Sequence, residues 1–278
     1  MISRLRITIL IDDCPNDTGL IAEHGLALWI EADERRMLFD TGQSAALVQN
    51  AKHLDIDLST ANALVISHGH YDHTGGAADF LALNSKVAVY CNPGIFIPRY
   101  SRQPDNSMKP IGINSKSSDS LHQIMGAIQW VTGPMWISED IGITGPVPRK
   151  TDFEDTGGAF YLDPEGNRPD SIEDDLAIWF RIKNGLCVVT GCCHSGLVNT
   201  IDHIQFFVGN KNIRSVIGGL HLLHAASERL DRTCDYLNNS NIKQIIPLHC
   251  SGNEAIEFLM NHTGSTVLIK GLGESFVF

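Results

Sequence analysis

The chain has 278 residues, with 21 basic against 32 acidic side chains and a net charge of −11. At 43% hydrophobic and 19% charged it is globular rather than disordered, and its acidity argues against broad binding to a phosphate backbone, which needs a basic face. No run approaches the ~18 apolar residues of a membrane span, the stretch 7–11 after Arg4 and Arg6 is too short for a secretory leader, and seven cysteines without a C-x-x-C pair suit a reduced, cytoplasmic protein.

In chain order, residues 5–11, 26–30 and 37–39 read as short strands separated by turn or charged residues. Residues 44–54 have helical spacing, with Ala45, Leu47, Val48, Ala51 and Leu54 near one stripe. Residues 63–66 and 87–90 are buried-type strands. The segments 92–128 and 144–175 are rich in Pro, Ser, Asn and Gly, and predict a loop-rich insertion over about 92–175 that forms a lid or binding loop. Order returns at Leu176. Ile178, Phe180 and Ile182 alternate with Ala177, Trp179 and Arg181. Asn184-Gly185 supplies the φ > 0 positions of a type I′ turn, and 186–190 completes a hairpin. Helices over 198–207, 228–237 and 254–261 then alternate with strands over 215–217, 244–247 and 267–269. Two packed sheets flanked by helices bury this pattern, in one domain spanning 1–278.

Residues 64–76 read Leu-Val-Ile-Ser-His-Gly-His-Tyr-Asp-His-Thr-Gly-Gly, which puts His68, His70, Asp72 and His73 just past a strand. Neutral imidazole is a strong ligand for zinc and other first-row metals, and carboxylate completes such sites. Three more histidines follow apolar strands: His194 in Gly-Cys-Cys-His-Ser-Gly, His221 in Gly-Gly-Leu-His-Leu and His249 in Pro-Leu-His-Cys. They converge if those strand ends share an edge. His24, His53, His122, His203, His224 and His262 lack this placement and are expected at the surface or in the core.

The H-x-H-x-D-H motif, the later strand-end histidines and Leu-Phe-Asp-Thr-Gly at 38–42 resemble the metallo-β-lactamase superfamily over essentially the whole chain. Gly-Ile-Thr-Gly-Pro-Val-Pro-Arg at 142–149, Phe153-Glu154, Asp174-Asp175-Leu176-Ala177 and the two glycine-histidine segments are similar to one subfamily. It is named after 7,8-dihydropterin-6-yl-methyl-4-(β-D-ribofuranosyl)aminobenzene 5′-phosphate synthase. The resemblance implies an α/β fold, a four-layer αββα sandwich with a metal site at one edge of its sheets. By match to the motif, His68, His70 and His194 hold a first divalent ion. Asp72, His73 and His249 hold a second. Zinc leads, with manganese and iron as alternatives. Asp40 orients ligands, and Asp174 and Asp175 are further supporting carboxylates. The superfamily usually has an aspartate bridging both metals. The corresponding stretch here, Gly218-Gly219-Leu220-His221, carries no carboxylate. His221 is then a replacement ligand, a general acid, a substrate hydrogen-bond donor or a structural residue. The glycines before it let something bulky, a metal or a substrate, sit against the turn.

These features point to a metal-dependent hydrolase or group-transfer enzyme that uses a metal-bound hydroxide on a small anionic substrate, a phosphate or diphosphate ester. Asp72 also orients the nucleophile. A metal-containing ligand sensor without turnover and a mononuclear iron oxygenase of the same fold are the alternatives. No nucleic-acid or membrane partner is expected. Between Ile97 and Ser117, Arg99, Arg102, Lys109 and Lys116 oppose Asp105 alone, a net +3. Arg99, Arg102 and Arg149 are therefore candidate anion-binding residues. Competing patterns are weaker. Asp40-Thr41-Gly42 with Asp155-Thr156-Gly157 fits an aspartic-protease pair, but Asp155 lies in a polar, Gly-rich stretch. Cys193-His194 and His249-Cys250 suggest a thiol nucleophile. Strand neighbours point to opposite faces, however, so the thiols are expected to pack in the sheet while the histidines face the metals. Asn16-Asp17-Thr18 and Asn261-His262-Thr263 match the N-glycosylation pattern, which a cytoplasmic chain does not use.

Overall fold

A computed structural model describes residues 1–15, 19–209 and 212–278; Asn16-Asp17-Thr18 falls outside these. The chain opens with β1 (Leu5–Ile11), β2 (Ala27–Ala32), β3 (Arg35–Phe39), α1 (Ala46–His53), β4 (Ala63–Val65), α2 (Tyr71–Thr74), α3 (Ala77–Leu83) and β5 (Ala88–Cys91). Its middle holds β6 (Tyr100–Arg102), β7 (Met108–Pro110), α4 (Ser115–Gln123), β8 (Ile128–Trp130), β9 (Met135–Ser138), β10 (Ile141–Ile143) and β11 (Phe160–Tyr161). The hairpin β12 (Ala177–Ile182) and β13 (Gly185–Thr190) leads into α5 (Leu197–Val208), β14 (Ile213–Gly219) and α6 (Ser227–Ser240). β15 (Gln244–Leu248), α7 (Asn253–His262), β16 (Thr266–Val267) and β17 (Ser275–Val277) complete it.

Two seven-stranded sheets run in the orders β17-β1-β2-β3-β4-β5-β8 and β16-β15-β14-β13-β12-β10-β9, and β11-β6-β7 form a small third sheet. Strand alternation decides which residues meet. Ile7, Ile9, Leu28 and Ile30 of the first sheet share a core with Ile178, Phe180, Val189 and Ile217 of the second. The outer face of the first sheet packs Leu10, Trp29, Leu38 and Leu64 against Leu47 of α1 and Phe80 of α3. That of the second packs Trp179, Val188, Val216 and Ile245 against Ile201 of α5, Leu237 of α6 and Leu259 of α7. The layers are therefore helix, sheet, sheet, helix, the αββα sandwich that the resemblance implies. Burying each of these Ile, Leu and Phe side chains contributes about 1.5–3 kcal/mol.

The middle of the chain is more regular than its composition suggests. Within 92–175, β8 extends the first large sheet and β9–β10 the second, so only β6, β7, β11 and their loops stand apart. α4 shows no apolar stripe because its buried residues are Ser117 and Leu121. Its start is set by Asn114, whose side chain accepts from the Ser117 N–H at 2.8 Å. The hairpin turn also differs from expectation. Ile182 pairs with Gly185, so Lys183 and Asn184 are its central residues. Positive φ falls on Asn184 and Gly185, which is not the type I′ pattern. The last strand expected, 267–269, is confined to Thr266–Val267. No helix of the described residues is long and apolar enough to cross a membrane.

Candidate metal centre

The site is built on strand ends. β3–β4–β5 are parallel neighbours in one sheet and β13–β14–β15 in the other. After β4 the backbone runs through His68-Gly69-His70 into α2, which carries Asp72 and His73. A Cβ on Gly69 would meet the Arg99 guanidinium and the Ile95 carbonyl, so the loop closes tightly on what lies beneath it. His194, His221 and His249 follow β13, β14 and β15. Asp40, Cys193, His221 and His249 have φ of 57°, 62°, 46° and 49°. Positive φ is uncommon in residues with a side chain, and such strain gathers at functional sites.

The structure brings the six expected ligands into two adjoining groups. The rings of His68, His70 and His194 have centroids 4.5, 4.8 and 4.9 Å apart, and His68 Nε2 is 3.0 Å from His70 Nδ1. Asp72 Oδ2 is 3.3 Å from His249 Nε2 and 3.6 Å from His73 Nε2. Donors held at ~2.0–2.3 Å from one tetrahedral ion stand roughly 3.3–3.7 Å apart, close to these spacings. His70 Nε2, His194 Nε2 and His249 Nε2 are buried with no hydrogen-bond partner among the described residues. That is costly in a dry interior, and a metal ion relieves it at His194 and His249, while His70 faces the group through Nδ1, the nitrogen 3.0 Å from His68 Nε2. The residues present therefore fit a metal.

Their outer nitrogens are held in place. His73 Nδ1 lies 2.7 Å from Asp40 Oδ2, His249 Nδ1 2.5 Å from Asp13 Oδ1, and His194 Nδ1 2.8 Å from the Thr156 carbonyl. Such contacts fix the ring orientation of ligands. Asp40 also accepts from the N–H and hydroxyl of Ser67, both at 2.7 Å. Asp174 accepts from the Gly69 N–H and Asp175 from the Ser195 N–H, each at 2.8 Å. The three supporting carboxylates thus each hold a ligand loop. Burial pushes Asp175 up to about 6. Burial likewise holds His68, His70 and His194 well below the usual histidine range, in the neutral form that binds metal. It also opposes charge on His73 and His249, but Asp40 and Asp72 outweigh it at the first. Cys250, Asp13 and Asp72 outweigh it at the second, and both are raised.

Four residues escape the sequence reading. His24 Nδ1 contacts Asp13 Oδ2 at 2.7 Å, and its Nε2 lies 3.3 Å from Asp72 Oδ2. It sits before β2 rather than after a strand. Asp13 does follow a strand, and the rule applied to the histidines, extended to carboxylates, finds it. Cys192 Sγ is 3.1 Å from His73 Nε2. The thiols were expected to face away from the histidines, but positive φ at Cys193 and His249 breaks strand alternation there. Cys193 does pack in the sheet–helix core. Cys192 turns into the site, and the Cys250 thiol points at the Cys192 carbonyl at 3.6 Å.

A cavity of about 670 Å³ lies over the site, with His70, Asp72, His221 and His249 on one side and Arg102, Lys109 and Phe160 of the small sheet on the other. The Phe160 ring is 5.4 Å from both His70 and His194. The His221 ring lies 4.2 Å from that of His194, tilted by 41°. A Cβ on Gly157 would collide with the His221 ring, so the loop before β11 packs directly on it. Burial, aided by His249 and Arg229, pushes His221 down to about 3. It is neutral at neutral pH, a form that disfavours the general-acid role and suits both a ligand, grouped with Cys192 and Cys250, and a hydrogen-bond donor. Neither metal nor substrate explains the two glycines: a Cβ on Gly218 would meet the Thr190 carbonyl, and one on Gly219 the Gly191 carbonyl and the Cys250 thiol.

The basic residues sort differently from expectation. Arg99 is 2% exposed and donates to Asp170 at 2.7 Å and to Asp174 at 2.6 and 2.9 Å. It braces the ligand loops and has no free donor face for substrate. Arg149 donates to the Ser171 carbonyl and lines a separate depression with Pro146 and Ser195. Arg102 lines the main cavity, and so does Lys109. The aspartic-protease pattern dissolves, because Asp40 serves His73 while Asp155 pairs with Arg229 at 2.5 Å.

The sequence profile of the Metallo-beta-lactamase superfamily matches residues 21–198. The chain belongs to this superfamily. A Methanocaldococcus jannaschii protein named 7,8-dihydropterin-6-methyl-4-(beta-D-ribofuranosyl)-aminobenzene-5′-phosphate synthase is 27% identical over 272 residues, spanning 93% of this chain and 92% of that one. An uncharacterized protein of the same organism is 29% identical over 274 residues, spanning 94% and 99%. Among solved structures, Tm1679, described as a metal-dependent hydrolase of the beta-lactamase superfamily, superposes with a TM-score of 0.80. It is 27% identical, over 98% of both chains. The Bacillus subtilis metallo-beta-lactamase fold protein YhfI shares the fold at a TM-score of 0.57 and 11% identity, over 99% of this chain and 100% of that one.

Proposed function

We propose that the protein is a metal-dependent hydrolase or group-transfer enzyme acting on a small anionic ester, a phosphate or diphosphate ester foremost. One observation carries the reading: two groups of metal-type donors, with unpartnered ring nitrogens, face a cavity whose other wall brings Arg102 and Lys109 in an acidic chain. The description of Tm1679 as a metal-dependent hydrolase supports it. When bound, divalent ions held by His68, His70 and His194 and by Asp72, His73 and His249 lower the pKa of water from about 15.7 toward ~7 and polarise the electrophile.

The chain's own groups do the rest. Burial works against charge on Asp72, but His73, His249 and His70 outweigh it and hold its carboxyl well below the usual range. The carboxylate accepts a hydrogen bond from the attacking water and orients it. Phe160 covers the first histidine group and excludes bulk water. Arg102 lies 4.7 Å over the Tyr161 ring and donates to the Gly166 carbonyl at 3.2 Å, which holds its remaining donors for an anion. His221 offers a neutral imidazole to charge that develops on the substrate.

A panel of phosphodiester, phosphomonoester, thioester and lactone substrates tests the reading. Saturable turnover that chelation abolishes and metal restores supports it. Tight ligand binding without turnover points to a sensor instead, and dioxygen consumption with a single iron to an oxygenase. Two variants refine it. Arg102→Ala with Lys109→Ala is expected to raise KM roughly 10-fold for a phosphate ester, the low end for hydrogen bonds to charged groups, with metal content unchanged. A KM equal to wild type at every ionic strength would reduce both residues to lid structure. His221→Ala is expected to lower kcat about 10²- to 10³-fold, the scale for losing one donor to developing charge, and to keep both ions. Full activity on a verified substrate would make His221 structural.

A further inference from the structure

We propose that Cys192 is a metal ligand, its thiolate standing between the two histidine groups; the proposal rests on the metal-dependent reading above. Its Sγ lies within 4.8 Å of the ligand nitrogens of His68 and His194, and also within 4.8 Å of those of His73 and His249. Among the described residues it is the side chain that joins both sets. It is 3% exposed and its Sγ is 3.1 Å from His73 Nε2, a few tenths of an ångström short of the ~3.5 Å between a sulfur and a nitrogen on one tetrahedral ion, a gap that a small side-chain shift closes. Cys250 offers the nearest other sulfur, but it groups with Cys192 and His221 and stays outside both histidine sets.

Charge gives a second argument. Two divalent ions bring four positive charges into a buried site whose six expected ligands include one carboxylate, Asp72. The stretch 218–221 adds none. Buried charge needs a counter-charge close by. A thiolate at Cys192 supplies one at the centre of the cluster. On binding, the S–H bond breaks, its proton leaves to solvent, and a sulfur lone pair takes the metal. Sulfur also selects the ion. Thiolate suits zinc, iron and cobalt, whereas manganese and magnesium prefer oxygen.

Cobalt(II) loading of the whole protein tests this without any substrate. Wild type is expected to show a near-ultraviolet sulfur-to-cobalt charge-transfer band. Cys192→Ser loses the band and Cys250→Ser keeps it. Affinity for the second ion falls at least ~10- to 100-fold in Cys192→Ser, the scale already seen when only a partner of a ligand is lost. X-ray absorption of zinc-loaded Cys250→Ser is expected to keep a sulfur neighbour at about 2.3 Å, and it decides between the two thiols if Cys192→Ser does not fold. Stoichiometric metal without a sulfur signature, or a band that survives in Cys192→Ser, overturns the proposal and leaves the metal reading standing. A wild type that takes up no ion overturns both.

Discussion

Arg99→Ala is expected to lower the unfolding free energy by about 3–5 kcal/mol, the cost of breaking a buried ion pair from one side. The guanidinium makes three short hydrogen bonds to Asp170 and Asp174, and all three side chains are nearly inaccessible. Burial alone works against the charge on Arg99, but Asp174 and Asp170 outweigh it and keep it charged. Alanine leaves two carboxylates buried without their counter-charge. It also loosens Asp174, which holds the Gly69 N–H between His68 and His70. Loss of stability and loss of metal should therefore appear together. Arg99→Lys should fall between wild type and alanine, because one ammonium cannot reproduce a planar fork to two carboxylates. Denaturant unfolding of the metal-free proteins measures the difference. A change below about 1 kcal/mol, with KM raised instead, would return Arg99 to the substrate.

That residue shows where the sequence stops being legible. A local count of charges singled out residues 97–117, but the partners that neutralise Arg99 lie 71 and 75 residues away in sequence. No local pattern announces them. His68, His70, Asp72, His73, His194 and His249 were legible for the opposite reason. His68, His70, Asp72 and His73 form one short motif past β4, His194 and His249 follow β13 and β15, and strands with parallel neighbours deliver their ends to one edge. Cys192 was passed over because alternation was applied only to Cys193 and Cys250, the thiols beside the histidines, and the turn at Cys193, which is not extended, brings the preceding residue into the site. The αββα layering came through in the alternation of Ile178, Phe180 and Ile182 with Ala177 and Trp179, which the two cores divide between them. β8, β9 and β10 did not come through. They are three or four residues long, and pairing with β5 and β12 defines them more than their own pattern does.

His68→Ala with His70→Ala is expected to remove the first ion and to lower kcat/KM by at least about 10⁴-fold, since water without that ion returns toward its ordinary pKa. Metal per chain should fall from two toward one, because Asp72, His73 and His249 are untouched. The metal-free fold should change little. His70 Nε2 is already a buried polar atom without a partner, so its removal offsets part of the packing lost. What disappears is stabilisation by metal. A ligand at about a thousand times its Kd stabilises a folded protein by roughly 4.1 kcal/mol, and the variant should lose that increment for the first ion. Acid should then separate the two groups. Burial keeps His68, His70 and His194 neutral well below the usual histidine pKa, so protons compete weakly there as pH falls. His73 and His249 are raised, so protons displace the second ion first. Wild type should release metal in two steps on acidification, and the double variant in one, at the higher pH of the two. Two ions per chain in the double variant, or release at the lower pH, would move the first site to other residues.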